Sequence, residues 1–356
     1  MAAADNTEGK TADTVAPAGR WSPRAKAVSI GVSFLLAAVL LYYSLRGIEW
    51  REVARIAAGA RLSYLGAAAA VSTATLLLRS LRWRILLNAQ GAVDVPTAFW
   101  ATAAGYFGNN FLPARAGELV RTVFVSSRST LDNAYVLATA LSERVADAFA
   151  LVAISALVLV TLPVRPGWLA GAAMPVAIVA IVGIALIAVL PWLESFGRTL
   201  LERAPIPQAV RLTLITLMEQ ALRGIRAFHD VRRLLGFVGL TIVIWSLDAL
   251  ATVIGGAALG LSIPISVAFL LIAALGLGSA LPSTPGYVGI FQFVAVTVLT
   301  PFGFSRTDAI AYILVAQALS YIIIGFWGSL GLLRYRRSGL KVGGVMPLPS
   351  TANRLK

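Results

Sequence analysis

Arg115, Glu118 and Arg121 follow one another at three-residue intervals, directly after Pro113 and on either side of Gly117. On a helix that spacing puts the three side chains on one side. Guanidinium groups clasp a phosphate through paired N–H donors. A helix that starts after Gly117 also turns its first backbone N–H groups toward the break. The chemistry would be the binding of an anionic head group, with Glu118 holding the arginines. A plainer reading has the arginines reach the cytoplasmic interface and only set topology, but Glu118 adds nothing to topology.

Other polar groups lie in equally apolar surroundings. Glu143 and Asp147 are one helical turn apart with Arg144 beside them. They can pair with the first triad or form a local ion pair at a helix start, since a carboxylate at membrane depth needs a partner. Asp248 is the only charge between Leu234 and Ser305; it either accepts from a cavity arginine, takes up a proton, or sits protonated as a structural residue. The stretch from Pro282 to Gly289, with Ser283, Thr284, Tyr287 and Gln292, is an uncharged polar break. Its freed backbone groups and hydroxyls either line a path for a polar head or serve only to end a helix. Gln317 and Ser320 read as contacts between helices.

The elements that must hold these residues are membrane helices. Of the 356 residues 58% are hydrophobic and 13% charged, and the mean hydropathy is +0.81. Several uncharged runs reach the roughly 18 residues that a spanning helix needs. The fold class is therefore an all-α polytopic membrane protein. The formal net charge of +14 fits cytoplasmic loops and anionic lipid heads better than nucleic acid. With no cysteine and the single His229 in an Arg-rich amphipathic stretch, thiol chemistry and His-pair metal motifs are excluded. We expect no metal and no cofactor.

Six full spans are expected, at 27–45, 62–78, 134–162, 168–193, 234–259 and 309–333. Arg79, Arg82 and Arg84, with Trp83 between them, read as an interface anchor at the end of the second span. The first apolar run lacks a cleavage site and is expected to stay as a helix. Residues 46–61 suggest a small interfacial helix, and 196–233 an amphipathic one at the membrane surface. Residues 1–20 form a disordered basic tail, 21–337 a single transmembrane domain, and 338–356 a basic C-terminal tail. Two further segments break at mid-length: 97–125 at Pro113 and Gly117, and 267–299 at Pro282 to Gly286. Each arm spans about half a bilayer at 1.5 Å per residue, so both read as re-entrant hairpins. Both breaks read Leu-Pro-x-x-x-Gly, at Leu112 and Leu281, and one offset of 169 also brings the second span onto the fifth and the third onto the sixth. Three crossings separate the units, which makes an inverted-topology repeat, with the broken helices meeting near the midplane. The Lys and Arg bias places both termini in the cytoplasm of a multi-pass cell-membrane protein; hydropathy leaves open that the broken segments cross fully.

The motif residues also resemble a known family. Asn110-Phe111-Leu112-Pro113-Ala114-Arg115-Ala116-Gly117-Glu118 with Arg121 resembles the Asn-x-x-x-Pro-x-Arg-x-Gly-Glu-x-x-Arg signature of the lysylphosphatidylglycerol synthase/flippase transmembrane family. Glu143-Arg144-x-x-Asp147 resembles its Glu-Arg-x-x-Asp element, and Pro285-Gly286-Tyr287-Val288-Gly289 is similar to its late Pro-Gly-Gly-x-Gly segment. Tyr287 stands at the second Gly of that segment, and Gln292 where many members have Glu, which leaves no titratable carboxylate there. The best-known members carry a separate cytoplasmic aminoacyl-transfer domain, and nothing of that size is expected here. The resemblance thus implies the flippase half.

The expected function is a lipid flippase or translocase that moves an anionic or phosphate-bearing head group between leaflets, with Arg115 and Arg121 on the phosphate and Glu118 and Glu143 positioning them. Membrane lipids with a polar head are the expected partners; a lipid-synthesising enzyme and a homo-oligomer are further ones. An integral-membrane transferase acting on a lipid phosphate, using Glu118, Glu143 and Asp147 as base or metal ligands, is the rival. A non-catalytic partner of a cell-envelope lipid enzyme is a third reading.

Overall fold

The computed structural model describes residues 23–112, 116–161, 230–279 and 284–337. Ten α-helices run through them: α1 Pro23–Leu45, α2 Trp50–Ala58, α3 Leu62–Leu87, α4 Val95–Phe111, α5 Gly117–Ser126, α6 Asn133–Thr161, α7 Val231–Ala258, α8 Ile265–Gly278, α9 Ile290–Leu299 and α10 Arg306–Arg337. No strand occurs among the described residues. α3, α6, α7 and most of α10 are long and apolar enough to cross a membrane, so the chain is an all-helical membrane protein. The expected fourth span at 168–193, the tails and nearly all of the amphipathic stretch at 196–233 lie outside the described residues.

The helix ends follow local chemistry. Asp94 caps α4 by accepting from the Thr97 N–H, and Pro96 occupies its first turn, where the missing N–H costs nothing. α4 stops at Phe111 because Leu112 precedes a proline, and its backbone is extended at φ −95°, ψ 148°. α5 then folds back on α4 through a glycine contact. A Cβ on Gly117 would run into the Gly105 carbonyl and come within 2.5 Å of Asn109 Oδ1, and one on Gly108 would meet Gly117 Cα at 2.8 Å. Only glycines allow the two arms to approach this closely.

The second set of helices follows the order of the first with similar, not identical, spacing: α7 starts 169 residues after α3 and α10 starts 173 residues after α6. α3 starts at Leu62 and α7 at Val231; α6 starts at Asn133 and α10 at Arg306. Packing follows the same correspondence. α4 lies on α3 and α5 as α8 lies on α7 and α9, and each is also seated on the other half's long helix, α4 on α10 and α8 on α6. α3 and α7 run against each other at the joint. α4 also touches the short turn Pro285–Tyr287, so the two broken segments meet. One apolar core gathers around Trp83, Phe124 and Tyr135 and takes in Tyr335 of α10; another, around Leu271, Leu299 and Ile310, takes in Val158 and Leu159 of α6. α2 is not only interfacial. Its Val53 is buried in the second core and the helix packs on α10, while Glu52 and Arg55 pair on its exposed side.

Candidate functional site

Between the halves lies a cavity of about 410 Å³, lined by residues from α3, α4, α6, α7, α8, α9 and α10. Its wall is largely apolar, and its polar groups are few: Arg79, Tyr106, Asn110, Arg144, Asp248, Tyr287, Gln317, Ser320 and a handful of hydroxyls. This is the usual make-up of a ligand site, an apolar chamber with a small number of placed polar groups.

Four arginines and four carboxylates surround it. Arg82 is 0% exposed. It donates to both oxygens of Asp147 at 2.7 and 2.9 Å and to Glu143 Oε1 at 2.9 Å. Arg121, 3% exposed, donates to Glu143 Oε2 at 2.8 Å and to the Ala140 carbonyl at 3.1 Å, pairs with Glu118, and lies 4.5 Å from the Trp83 ring. Arg144 donates from Nε to Glu118 Oε1 at 2.8 Å and stands over Tyr106. Arg79 donates to Asp248 Oδ2 at 2.5 Å and stands over Trp245.

This arrangement corrects several sequence expectations. Arg121, expected to hold phosphate, is buried and engaged by Glu143, Glu118 and a backbone carbonyl, and it does not line the cavity. Glu118, Glu143 and Asp147 stand behind the wall as partners of arginines, the positioning role expected of Glu118 and Glu143 rather than direct contact with a ligand. Arg79 and Arg82 are no interface anchor: each is paired inside the protein, and Trp83 is buried with its indole N–H donating to Thr139. Only Arg84 keeps to the helix end, on the Val93 carbonyl.

Asn110, Arg144, Asp248 and Tyr287 do reach the cavity. Thr284 does not line it; its hydroxyl closes the turn onto the Val288 carbonyl. Gln292 is buried, accepts from the Gly289 N–H at 2.7 Å and donates to Gln317 at 2.6 Å, while Gln317 donates to the Gly286 carbonyl at 3.0 Å. Gln292 therefore props the second break rather than meeting a ligand. Arg115 and Ser283, and with them His229, lie outside the described residues.

Two residues that sequence reasoning passed over matter here. Asn109, not Asn110, ties the first break together: its carbonyl accepts from the Gly117 N–H at 3.0 Å and its amide donates to Glu118 Oε1 at 3.3 Å. Counting four residues back from Pro113 in the pattern Asn-x-x-x-Pro would have found it. Tyr106 lines the cavity beneath Arg144, whose guanidinium carbon is 5.4 Å from the centre of its ring. Arg144 is 39% exposed on its side chain, and among the described residues no acceptor takes its two terminal nitrogens.

Among the described residues no group of three or more His, Cys, Asp or Glu is placed to hold a metal ion. What the arrangement can do is receive an anion at Arg144 and Arg79 within an apolar chamber. A family model described as the lysylphosphatidylglycerol synthase TM region matches residues 28–328. Glycosyltransferase AglD of Haloferax volcanii is 27% identical over 307 residues, covering 76% of this chain and 48% of that protein, so the chain spans about half the length of this curated relative. No solved structure matches at a significant level.

Proposed function

We propose that this chain, which belongs to the lysylphosphatidylglycerol synthase TM region family, moves a lipid with an anionic, phosphate-bearing head group between the leaflets of a cell membrane. One observation carries the reading: a cavity between the two halves exposes Arg144 and Arg79 among apolar helices of membrane-spanning length. A charged side chain at that depth is costly unless it serves a pathway or a partner. Arg144 offers its terminal nitrogens to a phosphate, and Arg79, paired with Asp248, lines the same cavity. Arg115 stays in the proposal on its sequence position alone.

The head group enters the cavity while the acyl tails remain in lipid. The matching helix order of the halves supports an inverted repeat with two re-entrant hairpins, and rocking one half against the other would open the cavity to each leaflet in turn. Both termini are cytoplasmic in this scheme. The sequence has no Walker motif, so movement is passive or coupled to ions or to the membrane potential. The transferase alternative is less well supported, because the carboxylates it would use as base or metal ligands are held by Arg82, Arg121 and Arg144.

The test is reconstitution into liposomes with a fluorescent phosphate-bearing lipid, measuring how fast its head becomes accessible to a membrane-impermeant quencher. Faster exchange than in protein-free vesicles, lost in Arg144→Gln, is expected. Exchange at the protein-free rate in both would overturn the reading.

A further inference from the structure

α3 is the least covered of the four helices that can cross a membrane. Only 17% of its most apolar window is buried, against 33% in α6, α7 and α10. Away from the chamber between the halves, this helix borders a second, open groove of about 600 Å³. Ala70, Thr73, Ala74 and Leu77 of α3 line it, with Phe99 of α4 and Trp327 of α10. None of the residues that α3 gives to the chamber, such as Ala68, Thr75 and Arg79, is shared with the groove. Ala70 and Ala74 are exposed and one turn apart, and their small side chains leave the space open.

The groove has a direction. The Phe99 and Trp327 rings are 5.5 Å apart, the Trp327 and Trp100 rings 6.0 Å, and the Arg334 guanidinium lies 5.0 Å from the Trp100 ring. An apolar trough thus leads through indole rings to a cation. Arg334 is exposed, and Arg128 donates to its carbonyl at 3.0 Å. Arg128 is also within electrostatic reach of Asp94, so Arg334 is the cation that matters here. The steps from Ala70 to Leu77 and from Trp327 to Arg334 each rise about 10 Å. Together they reach about 20 Å, the depth of one leaflet with its head-group layer. Indole rings and arginines near that depth meet lipid heads, and anionic heads most strongly.

A second copy of the chain would be the other occupant, since small residues let helices close on one another. Two copies inserted the same way and joined over this groove would bring their Arg334 side chains to one membrane depth, where like charges repel. A lipid phosphate meets the same cation with the opposite sign. We propose that the groove holds one anionic phospholipid of the surrounding leaflet, with an acyl tail along Ala70 and Ala74 and the phosphate at Arg334. This lipid is a resident of the lipid-facing side and not the cargo of the chamber, so the proposal stands whether or not the chain moves lipid.

The test is native mass spectrometry of the full chain, stripped of lipid in mild detergent and re-exposed to phosphatidylglycerol or to phosphatidylcholine of the same acyl chains. Phosphatidylglycerol should be retained about fivefold better, the worth of one arginine beside an anionic head. Arg334→Gln should erase that preference. Ala74→Leu, which fills the groove, should lower the retention of both lipids. Arg144→Gln alters only the chamber and should leave the groove lipid in place. An unfolding scan in detergent checks that each variant is folded, and Ala70→Leu is a second filling variant. Equal retention of the two lipids, retention unchanged in a folded filling variant, or loss in Arg144→Gln alone overturns the proposal. A chain dimer that Ala74→Leu dissolves also overturns it and gives the groove to a second copy.

Discussion

Arg79 and Asp248 are joined at 2.5 Å across a sequence distance of 169 residues. Counted from Leu62 and Val231, where α3 and α7 begin, they hold the same place in their helices. The pair therefore fastens one half to the other at the helix joint and beside the cavity. Removing one partner of such an inward-facing pair strands a charge. Arg79→Ala and Asp248→Ala should each lower the detergent unfolding midpoint, and Arg79→Asp with Asp248→Arg should recover more than half of the loss. A double exchange no better than the worse single change would show that the pairing is incidental.

Arg82 and Arg144 separate folding from transport. Arg82 is wholly buried and holds two carboxylates, so Arg82→Gln leaves them uncompensated, at about 3–5 kcal/mol of stability. Arg144 is partly open and holds Glu118 through one contact, so Arg144→Gln should cost about 1 kcal/mol or less. Chemical unfolding should rank the variants in that order, while lipid exchange in vesicles falls to background in folded Arg144→Gln. Equal stability losses in both would remove the division between the cavity wall and the network behind it.

The loop before α4 gives a pH dependence. The Thr97 hydroxyl, helped by the Thr97 N–H, donates to the Asp94 carboxylate and holds its pKa below the usual aspartate value, against a smaller opposing effect of burial. A carboxylate whose folded pKa is depressed contributes stability above its unfolded pKa of about 3.9 and loses it as pH falls through the lower folded value. The cap should therefore be intact from pH 5 upward and fade below about pH 4. Asp94→Ala should cost about 0.5–2 kcal/mol at neutral pH, and Asp94→Asn should keep most of the cap without the acid loss. An acid-unfolding curve for Asp94→Asn that overlies the parent between pH 2 and 5 would contradict this.

The sequence announces the broken helices because proline and glycine act locally. Pro113 forces Leu112 out of the helix, and the Pro-Gly-Gly-x-Gly register marks Gly286, Tyr287 and Gly289, all three with positive φ. The roles of the arginines were harder to read. Three of them at the end of an apolar run look like an interface anchor, since the partners that draw two of them inward are 61 to 169 residues away. One clue was present: the offset that aligns the two breaks also sets Arg79 against Asp248. The exchange of roles between Arg121 and Arg144 depends on which face of α6 meets α5, and a repeat of apolar residues around α6 does not specify that face.

Tyr287 holds a backbone conformation, φ +61°, that it alone among described non-glycine residues adopts, at a place where the family pattern has glycine. A side chain in that region costs roughly 1–2 kcal/mol. Its ring stacks on Phe291 at 4.7 Å and lines the cavity, which returns about 0.5–1.5 kcal/mol, and a glycine would bring an entropic cost of about 0.5–1 kcal/mol of its own. These terms nearly cancel, so Tyr287→Gly should leave stability within about 1 kcal/mol. On the transport reading proposed above, the ring on the cavity wall stands where a head group would pass. Tyr287→Gly widens the chamber and should flatten the differences in exchange rate among lipids of different head size, measured in the same vesicles. Loss of folding in Tyr287→Gly, or an unchanged order of lipids, would show that the ring serves the second core and not the cavity.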